Sequence, residues 1–178
     1  VHSIRRPRPD DYQIKKAVEV IKSSKNPIII SGGGVFYSDA MEELSDFAKK
    51  HNIPVTQTVM GYSTMKRDHS HFLGPIGGLG GKAANNMAKK TDLAIAIGTK
   101  LADFTTGSWA NFENPNFKLV SINAARFDAN KHMAQAVVGD AKVSLSELSL
   151  ALGSWKAEDS WNKKAQMELK SWNEYVDK

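Results

Sequence analysis

The backbone groups best placed for chemistry lie in four glycine-rich stretches: Gly32-Gly33-Gly34, Gln57-Thr58-Val59-Met60-Gly61, Gly74-Pro75-Ile76-Gly77-Gly78-Leu79-Gly80-Gly81 and Gly98-Thr99-Lys100. Glycine lets a ligand approach the main chain closely, and N–H groups at a helix start can hold phosphate. A nucleotide diphosphate is the ligand such loops suit. No segment reads G-x-G-x-x-G between the first strand and its helix, and no G-x-x-x-x-G-K-[ST] loop occurs. Glycine also makes tight strand-to-helix turns, so glycine alone leaves both readings open.

Other reactive groups are sparse. His69 and His71 in Asp68-His69-Ser70-His71 could ligate a metal through alternate side chains, but no third convergent ligand is visible, and the segment reads as a solvated loop. His2, His51 and His132 stand alone, and no G-x-S-x-G nucleophile elbow exists. With no cysteine, disulfides, thiol nucleophiles, Fe–S ligation and Cys-based zinc sites are excluded, and a cytoplasmic setting is expected. Asp103-Phe104-Thr105-Thr106-Gly107-Ser108-Trp109 is a polar and aromatic loop directly after an apolar run. It serves either to pack Phe104 and Trp109 over the sheet edge or to touch a ligand or neighbouring domain.

These groups need a scaffold, and the hydrophobic pattern supplies one. Ile28-Ile29-Ile30-Ser31, Ile53 to Thr58, Leu93 to Ile97, Lys118 to Ile122 and Ala136 to Val138 read as strands. The first and third lack polar alternation, as strands covered on both faces should. Between them run helix patterns. Asp11 is expected to cap Ile14, Ala17, Val18 and Ile21. Asp39 with Glu42 suggests a capping box for Met41, Leu44, Phe47 and Ala48. Ala83, Ala84, Met87 and Ala88 line another helix, and Lys142 to Leu152 a last one, ending on Gly153 as a left-handed cap. Met60 to Gly81 reads as loop. Strands joined by helix-length crossovers predict an α/β fold, a doubly wound, Rossmann-like parallel sheet with helices on both faces.

The 178 residues suit one such domain, and a formal charge of +5, spread along the chain, points away from a nucleic-acid binder. No apolar run approaches the roughly 18 residues of a membrane span. Both ends read as interdomain cuts: residues 1–10 as a Pro-interrupted linker, 11–153 as the domain, and 154–178 as a helical tail. In that tail Trp161, Ala165, Leu169, Trp172 and Val176 share a helix face that should dock on this domain or on a neighbour.

The assembled motifs resemble a known family. Gly80, Lys82-Ala83-Ala84-Asn85, Asp92 to Gly98 and Val138-Gly139-Asp140-Ala141 are similar to the middle domain of thiamine-diphosphate-dependent enzymes, in which three α/β domains follow one another. Within that superfamily, Ile4-Arg5-Arg6-Pro7, Gly32-Gly33-Gly34-Val35 with Tyr37-Ser38, Asp103 to Trp109 and Asp128-Ala129 with Lys131-His132 resemble the hydrolases that open a cyclic 1,2-diketone in myo-inositol catabolism. The resemblance implies a six-stranded sheet and a non-catalytic role. It implies that thiamine diphosphate and Mg²⁺ are bound by the first and third domains of a homo-oligomeric parent. Gly139-Asp140-Ala141 lacks the second glycine of the family's diphosphate motif, so the chain alone is expected to be inactive and to carry no cofactor.

Flavin-binding relatives hold ADP or FAD at positions matching Gly32, Gly33, Gly34, Thr58, Val59, Met60, Gly98 and Lys100. Two departures weaken that site here. The relatives' acidic and Arg loop is Leu101-Ala102-Asp103-Phe104, and their Asp-Ile-Asp is Ser121-Ile122-Asn123. Asn123 is a weaker ribose acceptor than a carboxylate. The resemblance therefore implies a vestigial nucleotide site, with an ADP- or FAD-binding module as the alternative. An NAD-dependent deacylase on the same sheet would want a catalytic His and usually a Cys₄ zinc module, which zero cysteines exclude.

Overall fold

The computed structural model describes residues 5–178, so Ile4 of the Ile4-Arg5-Arg6-Pro7 motif lies outside the described residues. Six strands form one parallel sheet: β1 (Pro27–Ser31), β2 (Val55–Gln57), β3 (Phe72–Pro75), β4 (Leu93–Ile97), β5 (Lys118–Asn123) and β6 (Gln135–Val138). Their order, β3-β2-β1-β4-β5-β6, reverses direction between β1 and β4, and every pairing is parallel. This is the doubly wound order, with its switch point at the carboxyl ends of β1 and β4.

Alternate side chains of each strand feed two separate cores. Ile29, Val55, Ile95, Ile97, Val120, Ile122 and Val137 pack under α1 (Asp11–Lys22), α3 (Met41–His51) and α7 (Ala141–Leu152). Ile28, Ile30, Leu73, Ala94, Ala96 and Leu119 pack under α4 (Lys82–Lys90) and α8 (Asp159–Val176). Both faces are covered, which is why the strands read as unbroken apolar runs. Between β4 and β5 the chain makes only α5 (Asp103–Thr106) and an aromatic cluster, no full helix. On the β3 side of the same face, α8 packs beside α4. Trp161 is 4% exposed and donates its indole N–H to Pro27 O at 2.8 Å, while Ala165 is fully buried. The Trp161–Ala165–Leu169–Trp172 stripe thus docks on its own domain. Val176 leaves the stripe and is exposed.

Several local expectations need correction. Asp10, not Asp11, caps α1, its carboxylate accepting from Tyr12 N and Gln13 N. No Asp39–Glu42 capping box forms. A short helix α2 (Gly33–Tyr37) comes first, Asp39 takes φ +52°, and α3 starts behind Ala40. β2 is confined to three residues, and β3 emerges from what reads as loop, because four residues beside β2 suffice to pair there. Gly153 ends α7 with φ +63° and ψ −121°, outside the left-handed helical region. Arg6 to Pro9 lie along the domain: Asp140 N donates to Pro7 O at 2.8 Å, and Pro9 is buried. Among the described residues no helix is long and apolar enough to cross a membrane.

Candidate functional site

The fold brings the glycine loops together at the switch point. Gly32 N donates to Ile97 O at 2.8 Å, Gly34 N to Gly98 O at 2.9 Å, and Thr58 N to Ser31 O at 2.9 Å. The loops after β1, β2 and β4 therefore bond directly to one another. Their glycines face backbone. A Cβ on Gly34 would lie 2.6 Å from Gly98 Cα, one on Gly32 2.5 Å from Gly98 O, and one on Gly61 2.2 Å from Ser31 O. Gly33 faces Met60 O at 3.1 Å. Gly98 also has φ +61°, which an L side chain resists. Close approach of main chain to main chain is thus what these glycines secure in this chain.

The remaining positions gather on the same edge with distinct tasks. The Thr58 hydroxyl accepts from Gly61 N at 3.0 Å and caps the turn Val59–Gly61. Asn123 Oδ1 accepts from Ala125 N at 2.9 Å, and its Nδ2 lies 3.4 Å from Thr99 O. Met60 and Lys100 project into solvent. A diphosphate needs backbone N–H groups turned outward. Those of Gly32 and Gly34 are committed to Ile97 O and Gly98 O, and Asn123 Oδ1 is held within its own loop.

Asp140 is 6% exposed, caps α7 through Lys142 N at 3.0 Å and Val143 N at 3.3 Å, and pairs with Arg6 at 3.2 Å. Its carboxylate is a structural joint between α7 and the residues preceding α1. Among the described residues no group of three or more His, Asp or Glu side chains could hold a metal ion.

His71 is not in a solvated loop: it is 6% exposed. Its Nε2–H donates to Asn52 Oδ1 at 3.0 Å, while its Nδ1 accepts from the Ser70 hydroxyl at 3.0 Å. Asn52 Nδ2 donates onward to Ala157 O at 3.1 Å and Asp159 Oδ1 at 3.0 Å, which fixes Oδ1 as the acceptor. Burial, helped by His69 and Lys49, pushes His71 down to about 4. His51 is buried alongside, its Nδ1 2.6 Å from Trp155 O, and burial lowers its pKa as well. These histidines clamp the turn leading into α8.

Asp103 to Trp109 divides between two ends of the sheet. Phe104 stays at the carboxyl edge, where its carbonyl accepts from Gly78 N at 2.8 Å. Trp109 reaches the amino ends of β5 and β6 and packs in tilted or edge-to-face arrangement on Phe112, Phe117 and His132, with ring centroids 4.6–6.4 Å away. These rings wall a cavity of about 540 Å³, completed by Val20, Lys118 and Met133.

Sequence reasoning missed two features of the carboxyl edge. Asn85 grips the glycine loop, accepting from Gly77 N at 2.9 Å and donating to Gly77 O at 3.1 Å. Each of five successive strand-end loops also exposes a large apolar side chain: Phe36, Met60, Leu79, Phe104 and Phe127 are 54–77% exposed. Their regular place one loop after each strand was the available signal. The edge can contact an apolar surface.

Comparison with known proteins gives this edge a context. A family model described as "Thiamine pyrophosphate enzyme, central domain" matches residues 14–148. A 3D-(3,5/4)-trihydroxycyclohexane-1,2-dione hydrolase of Clostridium perfringens strain 13 is 42% identical over 174 residues, 98% of this chain and 27% of the relative. The Clostridium botulinum Eklund 17B protein of that name is 40% identical over 178 residues, 100% of this chain and 28% of the relative. Such a hydrolase from Bacillus cereus ZK is 45% identical over 148 residues, 83% of this chain and 23% of the relative. The chain spans about a quarter of the length of these relatives. Since the matched span runs from α1 into α7 and contains all six strands, the chain belongs to the thiamine pyrophosphate enzyme central-domain family.

Proposed function

We propose that this chain is the non-catalytic central domain of a thiamine-diphosphate-dependent hydrolase that opens the ring of a trihydroxycyclohexane-1,2-dione in myo-inositol breakdown. In that reaction water is added across the C–C bond between the two carbonyls, one carbon becoming a carboxylic acid and the other an aldehyde. Thiamine diphosphate, held with Mg²⁺ by the first and third domains, supplies the chemistry of that bond, and the protein supplies position and electrostatics. The parent works in the cytoplasm as a homo-oligomer.

The observation that carries the reading is the carboxyl edge: five exposed apolar side chains on a rigid, backbone-bonded platform with no catalytic constellation. Such a rim marks a surface made to be covered, and the parent's other two domains are its occupants. Lys100 and Asp103 to Ser108 then face the active site. Gly32, Gly33, Gly34, Thr58, Met60, Gly98 and Asn123 are a former nucleotide edge, now structural.

The test compares this chain with the full-length enzyme, each given the dione, thiamine diphosphate and Mg²⁺. Full-length protein should turn over and the chain should not. Turnover by the chain alone, or none by the full-length protein, defeats the proposal. Asp103→Ala in the full-length enzyme should alter turnover or the Michaelis constant. A thermal-shift panel on the chain with ADP, FAD and thiamine diphosphate should be silent. Binding at 100 times the dissociation constant would stabilise by about 2.7 kcal/mol, or roughly 5–10 °C. A shift of that size with ADP or FAD would restore the nucleotide site.

A further inference from the structure

Three stretches far apart in the sequence meet in one joint at the carboxyl edge: Arg5-Arg6-Pro7, Tyr37-Ser38 at the end of α2, and Gly139-Asp140 between β6 and α7. Arg6 Nη1 donates to Ser38 O and to both carboxylate oxygens of Asp140, each of these at 3.2 Å. Asp140 N in turn donates to Pro7 O at 2.8 Å. Gly139 admits the incoming chain, because a Cβ there would lie 2.9 Å from Pro9 Cδ and 3.0 Å from Pro9 N. Segments ahead of the first element are usually loose unless tied down, and this one is tied by a charged pair, a main-chain bond and a buried proline.

The joint also holds α2. Five residues are too few to sustain a helix alone, so its placement depends on what grips it. Its end is gripped by two cations: Arg6 on Ser38 O, and Lys142 Nζ on Asp39 O at 2.9 Å, where Asp39 has φ +52°. α2 begins with the switch-point glycines and carries Phe36 and Tyr37, which are 54% and 73% exposed. A shift of residues 6–9 is therefore carried through one guanidinium to the switch-point rim.

We infer that Arg6 is a positioning residue, which locks the segment preceding α1 to the end of α2 and so gives that segment and the apolar rim one fixed placement. Residues 6–9 are then a strap of the domain. In the parent enzyme the strap sets how the preceding domain meets the rim, a step that alone rests on the proposed function.

The experiment is ¹⁵N relaxation and amide exchange on the chain, as wild type, Arg6→Lys, Arg6→Gln and Arg8→Gln. In wild type the Arg6 and Arg8 amides should show order parameters of about 0.85, the value of rigid backbone. Arg6→Gln should lower those of residues 6, 8 and 36–39 together and speed exchange of the Asp140 amide by about tenfold or more, with β4 unchanged. Arg6→Lys keeps the charge but not the fork and should fall between. Arg8 is exposed in its pairs with Asp11 and Glu147, so Arg8→Gln should leave α2 and Asp140 as they are. Should Arg6→Gln fail to fold, Arg6→Lys carries the comparison. Order parameters below about 0.6 at Arg6 and Arg8 in wild type would overturn the inference, as would a strap that loosens while residues 36–39 stay unchanged. In the full-length enzyme Arg6→Gln should lower kcat about fivefold or more with KM within about twofold, and an unchanged kcat would overturn the step to the preceding domain. A wild-type enzyme inert toward the dione defeats the proposed function instead, and the relaxation data still decide the strap.

Discussion

Replacing Gly98 by alanine separates a glycine kept for backbone contact from one kept for a ligand. At φ +61°, an added Cβ would sit 2.5 Å from Gly34 Cα and 2.8 Å from Gly34 C, where ordinary contact begins near 3.4 Å. Neither neighbour is a flexible side chain, so α2 must move outward and stretch the Gly34 N to Gly98 O hydrogen bond of 2.9 Å. The left-handed backbone costs about 1–2 kcal/mol and the forced repacking about 1–3 kcal/mol, together about 2–5 kcal/mol. For a domain of this size that is roughly 4–20 °C in Tm. Gly107→Ala is the control. It has φ +60°, but its Cβ meets only the movable Asn111 side chain, at 3.3 Å, so it bears the backbone cost alone. Urea unfolding followed by far-ultraviolet circular dichroism, with equal m values, should place Gly98→Ala about 1–3 kcal/mol below Gly107→Ala. If the two variants agree within about 0.5 kcal/mol, the close packing of the β1 and β4 loops is not what holds this edge together.

Other consequences are open to the same assay. Trp161→Phe strands Pro27 O without its indole donor and should cost about 1–3 kcal/mol, while Trp161→Ala should cost about 3–5 kcal/mol; an unchanged urea midpoint would mean that α8 is only loosely attached. For His71 the unfolded imidazole takes up its proton near pH 6.5 and the folded one only near about 4. The unfolded chain therefore binds more protons across that interval, and stability falls as pH drops through it, by on the order of 3 kcal/mol at the acid end. His71→Gln should flatten this slope between about pH 6.5 and 4, and an identical pH profile would refute the assignment. Asp140→Ala removes the α7 cap and the partner of Arg6, and should cost about 1–3 kcal/mol by urea unfolding; a loss below about 0.5 kcal/mol would show that water replaces both contacts.

Legibility in the sequence followed the range of the interaction. Leu93 to Ile97 and Ile28 to Ile30 announce buried strands because burial on two faces removes polar residues locally. Trp161, Ala165, Leu169 and Trp172 announce a docked helix face for the same reason, although their spacing does not say onto what. β3 stayed hidden: a four-residue strand with a glycine and a proline has no periodicity of its own and forms only because β2 offers its edge. Asp39 shows a local signal overruled. Its capping pattern with Glu42 is sound, but α2 and the φ +52° turn deliver the chain to α3 differently.

Fold class, the glycine-rich character of the strand ends and the amphipathic tail are properties of neighbouring residues, and these the sequence determined by itself. What the glycines face, how the histidines are bonded and which polar atom is left unpaired depend on residues distant along the chain. Gly34 meets Gly98, His71 meets Asn52, and Gln57 lines a cavity with Trp172 only after six strands and α8 have assembled. Periodicity records that a side chain is buried. Which partner buries it, and whether a glycine is left for a ligand or for another backbone, is settled only by tertiary packing.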